Sequence, residues 1–344
     1  MVVGQGRIVT FILGNGFDMA LNLKTSYKDF YKFITAKESD NLILNEIRTS
    51  PENWADLEEK LGLYTFDNNF QYEKFYNDYI EVLKELKIYL KKQENMFVEP
   101  KNLKPLYNLF NVIEQNLRSH SQKIPADFVM NIFNQVHRSN FITFNYTNTI
   151  DRLINKLQES DENFIEITSP VHIHGTLDSP MALGVNDKTQ YNCEQCPESF
   201  QRYFEKYNYT KNNDLDDAYL RMENRILESD LLVCFGTSFG KTDKEYWKLV
   251  GKWLKRSMFH KILIFDFDTN FDEIDLVFPG ILDQTLDKSK DSLIAQLGLT
   301  TEQEKEIRNQ IHPLYQTTNL LEIITKNDKQ TISKWETELV KINN

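Results

Sequence analysis

Short apolar runs, each ended by glycine or polar residues, mark this chain at residues 8–13, 141–144, 171–173 and 231–235. They are β-branched or aromatic, the composition of strands buried on both faces of a parallel sheet. Residues 261–267, 164–167 and 181–185 read as further strands. Between the first and second runs, residues 19–139 read almost wholly as helix. Tyr72, Phe75, Tyr76, Tyr79, Ile80, Val82, Leu83, Leu86 and Leu90 recur there at three- and four-residue spacing, with charges between them. Pro100, Pro105 and Pro125 separate that helix from others expected at 106–117 and 128–136. This stretch is too long for one crossover, so a helical cap roofing the sheet edge is expected, with Trp54 or Asp56 near its rim. A helix at 149–158 follows the second run. Residues 186–213 are polar and aromatic with weak periodicity. Helices at 215–227 and 244–255 flank the fourth run, and beyond 286 the pattern is that of amphipathic helices.

The expected fold is α/β: a Rossmann-like parallel sheet in a domain of residues 1–285, with helical insertions at 19–139 and 186–228, then a helical region at 286–344. In such a sheet the carboxyl ends of the strands share one edge, where ligands bind. Four polar motifs fall there: Gly14-Asn15-Gly16-Phe17-Asp18, Thr143-Phe144-Asn145-Tyr146-Thr147, His172-Ile173-His174-Gly175 and Gly236-Thr237-Ser238-Phe239-Gly240.

The 344 residues are 40% hydrophobic and 26% charged, enough to bury a sizeable core. A net charge of -11 argues against a broad nucleic-acid face, which needs clustered lysine and arginine. No stretch approaches the roughly 20 apolar residues of a membrane span, and a cytoplasmic location is expected. Three cysteines make no disulfide framework.

Gly14-Asn15-Gly16 suits a tight turn that brings backbone N–H groups to a phosphate, or a plain turn with Asp18 capping the next helix. Met19 stands where a dinucleotide fingerprint has its third glycine, which disfavours a hydride-transfer enzyme. Asn145 either stitches loops together or fixes a sugar hydroxyl and a water. His172 reads as a buried structural histidine. His174, beside Gly175 at the rim, reads as a general base. Gly236-Thr237-Ser238 offers hydroxyls to a ribose or caps a helix. Asp56 and Glu58 either reach the pocket from the insertion or begin a solvated helix. Cys193 and Cys196 resemble half of a zinc knuckle, but two more ligands are missing, and free thiols with no metal are expected.

In order, these motifs resemble the bacterial abortive-infection AbiH family. Its pattern of GNGFD, Trp-x-Asp-x-Glu, FNYT, HIHG and a late G-x-S-x-G-x-[TS]-D is matched by residues 14–18, 54–58, 144–147, 172–175 and 236–243. The set is more distantly similar to the sirtuin-like NAD-binding fold, in which a glycine loop, an Asn at a strand end, a His before Gly and a late Gly-Thr-Ser surround the dinucleotide. Asp18 stands where that loop has small or hydroxyl residues, and the four-cysteine zinc module of the deacylases is absent. Lysine deacylation is therefore not implied. The zinc-free sirtuin-like proteins of phage defence are NAD hydrolases, and NAD hydrolysis without a metal is what the resemblance implies here.

On that reading Asn145 and His174 are catalytic. Gly14, Asn15 and Gly16 face the pyrophosphate, Thr237 and Ser238 the adenosine ribose, and Phe17, Asp18, Thr143, Tyr146, Gly236 and Asp243 complete the binding set. NAD is substrate, and a second copy of the chain or another defence protein is a candidate partner. The alternatives are a nucleotide sensor that assembles without turnover, and a nuclease with a metal held by Asp18, Asp56 and Glu58.

Overall fold

The computed structural model describes residues 6–35, 39–67, 69–99, 131–132, 135–158, 166–194, 196–212, 217–266 and 279–315. At its centre is an all-parallel sheet of seven strands: β1 (Arg7–Leu13), β2 (Val136–Thr143), β3 (Glu166–Ile167), β4 (Val171–His172), β5 (Leu231–Phe235), β6 (Lys261–Asp266) and β7 (Ile311–Tyr315). Their order is β3-β2-β1-β5-β6-β7, with β4 also paired to β2. The two-residue side-chain period sorts each strand between two cores. Leu231, Val233 and Phe235 face one side with Phe11, Leu13 and Phe141. Leu232 and Cys234 face the other with Ile12, Ile142 and Ile264.

Helices α1 (Asn15–Ala20) and α6 (Thr149–Gln158) cover the first face. Helices α9 (Ala218–Glu228) and α10 (Lys244–Leu254) cover the second. The insertion after β1 supplies α2 (Tyr27–Ile34), α3 (Leu42–Thr49), α4 (Leu57–Tyr64) and α5 (Tyr72–Asn95). These pack around Phe30, Trp54, Leu57, Phe75 and Val82, with Leu183, Phe200 and Phe204 from the later excursion completing the cluster. Complete burial of such side chains contributes roughly 1.5–3 kcal/mol each, so the cap has a core of its own. The excursion contains α7 (Glu198–Phe204) and α8 (Lys206–Asn212).

Several expectations change. Residues 136–139, read as the end of the insertion, already belong to β2, whose first residues are partly exposed and so lack the apolar signature. The expected strand at 181–185 reduces to one isolated bridge, Val185 to Glu205. The tail contributes α11 (Pro279–Ile294) and α12 (Thr301–Ile307), and also β7, a strand at the sheet edge that carries Pro313. An edge tolerates a residue without an N–H. The helix expected at 106–117, most of that at 128–136 and residues 316–344 lie outside the described residues.

Candidate active site

The chain leaves β1 toward β2 on one side and returns to β5 on the other, so the carboxyl ends of β1 and β5 form a topological switch point. There the two glycine loops touch. A Cβ on Gly16 would lie 2.5 Å from Gly236 Cα, and one on Gly14 would lie 2.4 Å from the Gly236 carbonyl oxygen. Gly236 has φ of 65°, a left-handed conformation suited to glycine. The Gly14 N–H donates to Phe235 O and the Gly16 N–H to Gly236 O. These two donors, expected to meet a pyrophosphate, bind the neighbouring loop instead. Close approach of two backbones is what the glycines serve.

Asp18, on α1, is 1% exposed and accepts hydrogen bonds from Thr147 Oγ1 at 2.6 Å and Thr149 Oγ1 at 2.9 Å. Burial raises its carboxyl to about 6, while the two threonine hydroxyls and the Asn145 side chain pull it partly back. It is not a helix cap. Asn145 is held through its backbone, its N–H donating to Thr143 Oγ1 and its carbonyl accepting from His172 Nδ1 at 3.1 Å. His172 Nε2 lies 2.8 Å from Asp151 Oδ2. His172 thus bridges the Asn145 carbonyl and Asp151 and does not line the cavity.

The far wall holds a buried charge cluster. Glu58 comes from α4 of the cap, Lys206 begins α8, Asp243 precedes α10 and His174 follows β4. Lys206 is fully buried, 2.5 Å from Glu58 Oε2 and 2.8 Å from Asp243 Oδ1. Thr242 Oγ1 also donates to Glu58, at 3.0 Å. His174 Nε2 stands 3.0 Å from Asp243 Oδ1. Asp243 Oδ1 is thus held between the Lys206 ammonium and the His174 ring. Burial opposes ionisation of Asp243, but Lys206 and His174 together keep its carboxyl well below the usual range. For Glu58 burial prevails over Lys206 and the carboxyl is raised. Burial likewise opposes charge on Lys206, and the two carboxylates hold its ammonium above the ordinary value.

These groups surround a cavity of about 390 Å³, within the size range of small-molecule sites. Gly14, Asn15, Gly16, Asp18, Asn145, Tyr146, His174, Gly236, Thr237, Ser238 and Asp243 all line it. Phe17 and Thr143 do not. Phe17 packs edge-on against Phe235 in the core, and the Thr143 hydroxyl lies behind Asn145. Asp56 and Glu58 reach the cavity from the cap as expected, whereas Trp54 is fully buried in the cap core. Asp56 Oδ1 caps α4 by accepting from the N–H groups of Glu58 and Glu59. Among the described residues no three His, Cys, Asp or Glu side chains form a group able to hold a metal ion. Cys193 and Cys196 are joined in a disulfide, which corrects the free-thiol reading. The short stretch between them brings their Cα atoms to 5.3 Å, a usual bridging distance.

Sequence reasoning missed Lys206. A lysine in a polar, aromatic stretch reads as solvated, and only its two carboxylate partners, distant in sequence, reveal otherwise. Thr149 was also passed over. Its place three residues beyond a matched motif's Tyr146 was the one available signal.

The family model described as bacteriophage abortive infection AbiH matches residues 10–266. No curated protein matches the chain. The matched span runs from β1 to the end of β6 and contains every residue of the cavity. No helix among the described residues is long and apolar enough to cross a membrane.

Proposed function

The chain belongs to the AbiH family of bacteriophage abortive infection proteins, and from that premise we propose that it is an effector that hydrolyses the N-glycosidic bond of NAD to nicotinamide and ADP-ribose. One observation carries the reading: Asn145, His174 and the ionisable Asp18 converge on one cavity at the switch point of a parallel sheet. The distant sirtuin-like likeness supports it, since the Asn, His-Gly and Gly-Thr-Ser elements that surround a dinucleotide in that fold lie around this cavity.

Nicotinamide leaves a pyridinium as a neutral molecule, so departure needs no acid. The barrier lies in an oxocarbenium-like ribose and in delivering water to C1′. The Asp18 carboxylate, ionised at neutral pH, stabilises the positive sugar. The Asn145 amide orients a ribose hydroxyl and the water. His174 accepts the proton as the water oxygen bonds to C1′, and Asp243 stabilises the imidazolium that forms. Because Gly14 and Gly16 use their N–H groups on the β5 loop, the pyrophosphate is assigned no partner there.

The test is nicotinamide release from NAD by the purified full chain, together with the NAD content of phage-infected cells expressing it. Asn145→Ala and His174→Ala, each checked by thermal unfolding to remain folded, are expected to lower NAD loss by about 100-fold or more. Phage protection with undiminished NAD would reject hydrolysis and favour a nucleotide sensor without turnover.

A further inference from the structure

We infer that the cavity selects a planar heteroaromatic cation, and that Asp56 is a specificity-determining residue. The lining carries four carboxylate side chains, Asp18, Asp56, Glu58 and Asp243, and neither lysine nor arginine. Lys206 does not line the cavity and is shared between Glu58 and Asp243, and His174 lies against Asp243 as well. Among the described residues Asp18 and Asp56 are held by hydroxyls, an amide and backbone N–H groups. A cation beside them would relieve their charge.

The aromatic part of the lining adds a second, independent indication. Tyr27, Phe144, Tyr146 and Trp247 line the same cavity as the carboxylates. Aromatic faces attract cations through their quadrupoles, most strongly where water is excluded. Trp247 is 2% exposed, so little bulk water screens its ring. A pyridinium supplies both complements to this lining, positive charge and a flat ring.

Asp56 is the carboxylate best placed to act on charge alone. Its Oδ1 caps α4, while Oδ2 is directed toward the late glycine loop, 4.0 Å from where a Cβ on Gly240 would sit. Asp56→Asn keeps a good helix cap and removes the charge.

The inference deepens the NAD reading and rests on it only for the identity of the ring. It is tested with 1-methylnicotinamide, a cation, against nicotinamide, its neutral relative, by calorimetric titration of the intact protein. The cation is expected to bind about tenfold tighter or more, with most of that preference lost in Asp56→Asn while nicotinamide binding stays unchanged. Equal affinities, or no binding of the cation at millimolar concentration, would overturn the inference whether or not NAD is consumed. Selective binding of the cation with no NAD consumption would leave the inference standing and reject hydrolysis.

Discussion

The two sides of the cavity solve opposite problems. On one side Gly14, Gly16 and Gly236 bring two backbones together without charge, and their polar groups satisfy one another. On the other, Glu58, Lys206, Asp243 and His174 concentrate ionisable groups away from water. The glycine side resembles a phosphate loop in sequence, yet its geometry is that of a seam. On the charged side Glu58, His174 and Asp243 fall in matched motifs while Lys206 falls in none, and that side carries groups able to move protons. A motif therefore shows where a pocket forms more reliably than which of its atoms meet the ligand.

The cap ties these sides together. Tyr89 donates to the Lys24 carbonyl just after α1, and Glu94 accepts from the Asn148 N–H just after the Asn145 loop, at 2.6 Å. One face of α5 thus fixes both segments that position Asp18. The insertion is a structural part of the site as well as its roof.

The largest effect is expected on the charged side. Lys206→Met leaves Glu58 and Asp243 buried without their cation, and breaking such a cluster costs about 3–5 kcal/mol. Chemical denaturation should record that loss, and adding Glu58→Gln should recover part of it. If Lys206→Met is as stable as the parent, the cluster does not hold the wall and the comparison fails.

A somewhat smaller effect concerns Asp18. Its carboxyl is raised on folding from 3.8 to about 6, so between those values the folded state binds the proton more tightly than the unfolded state. Stability contributed by protonated Asp18 is present below pH about 4 and is lost as pH rises through about 6, up to about 3 kcal/mol in all. Asp243, whose carboxyl is lowered, has the opposite sign: its contribution holds above pH 4 and disappears on further acidification. Stability measured from pH 4 to 7 in the parent and in Asp18→Asn should show the Asp18 slope vanish in the variant. An unchanged slope would assign it to other groups.

The smallest effect sharpens the glycine side. Gly16→Ala forces the two loops apart, since the new Cβ meets Gly236 backbone at 2.5 Å, and overpacking of this kind costs about 1–3 kcal/mol. On the proposed reading the folded variant should keep NAD hydrolysis. A loss of turnover at unaltered melting temperature would show that this loop touches the ligand after all.

Much of the fold was legible because burial on both faces leaves a plain mark. The run at β5 is continuously apolar and that at residues 8–13 of β1 is broken only by Thr10, and the helical period of α5 follows from its one buried face. β7 was not legible: it is short, contains Pro313 and exists only because β6 offers an open edge. In the site, the alignment of Asn145, His174 and Gly236 followed from each ending a strand of one parallel sheet. The roles of Phe17 and Thr143 did not, because facing core or cavity depends on a turn of the backbone that neighbouring residue types leave open.

By itself the sequence determined the parallel sheet, the capping insertion and the edge at which chemistry-bearing residues gather, since hydrophobic period and strand-end composition are local properties. Only the tertiary structure decided that the glycine N–H groups bond to the next loop, that Lys206 is buried between Glu58 and Asp243, and that burial raises the Asp18 carboxyl to about 6. Hydrogen-bond partners, charge compensation and desolvation arise from segments up to 223 residues apart, and no local pattern encodes which of them will meet.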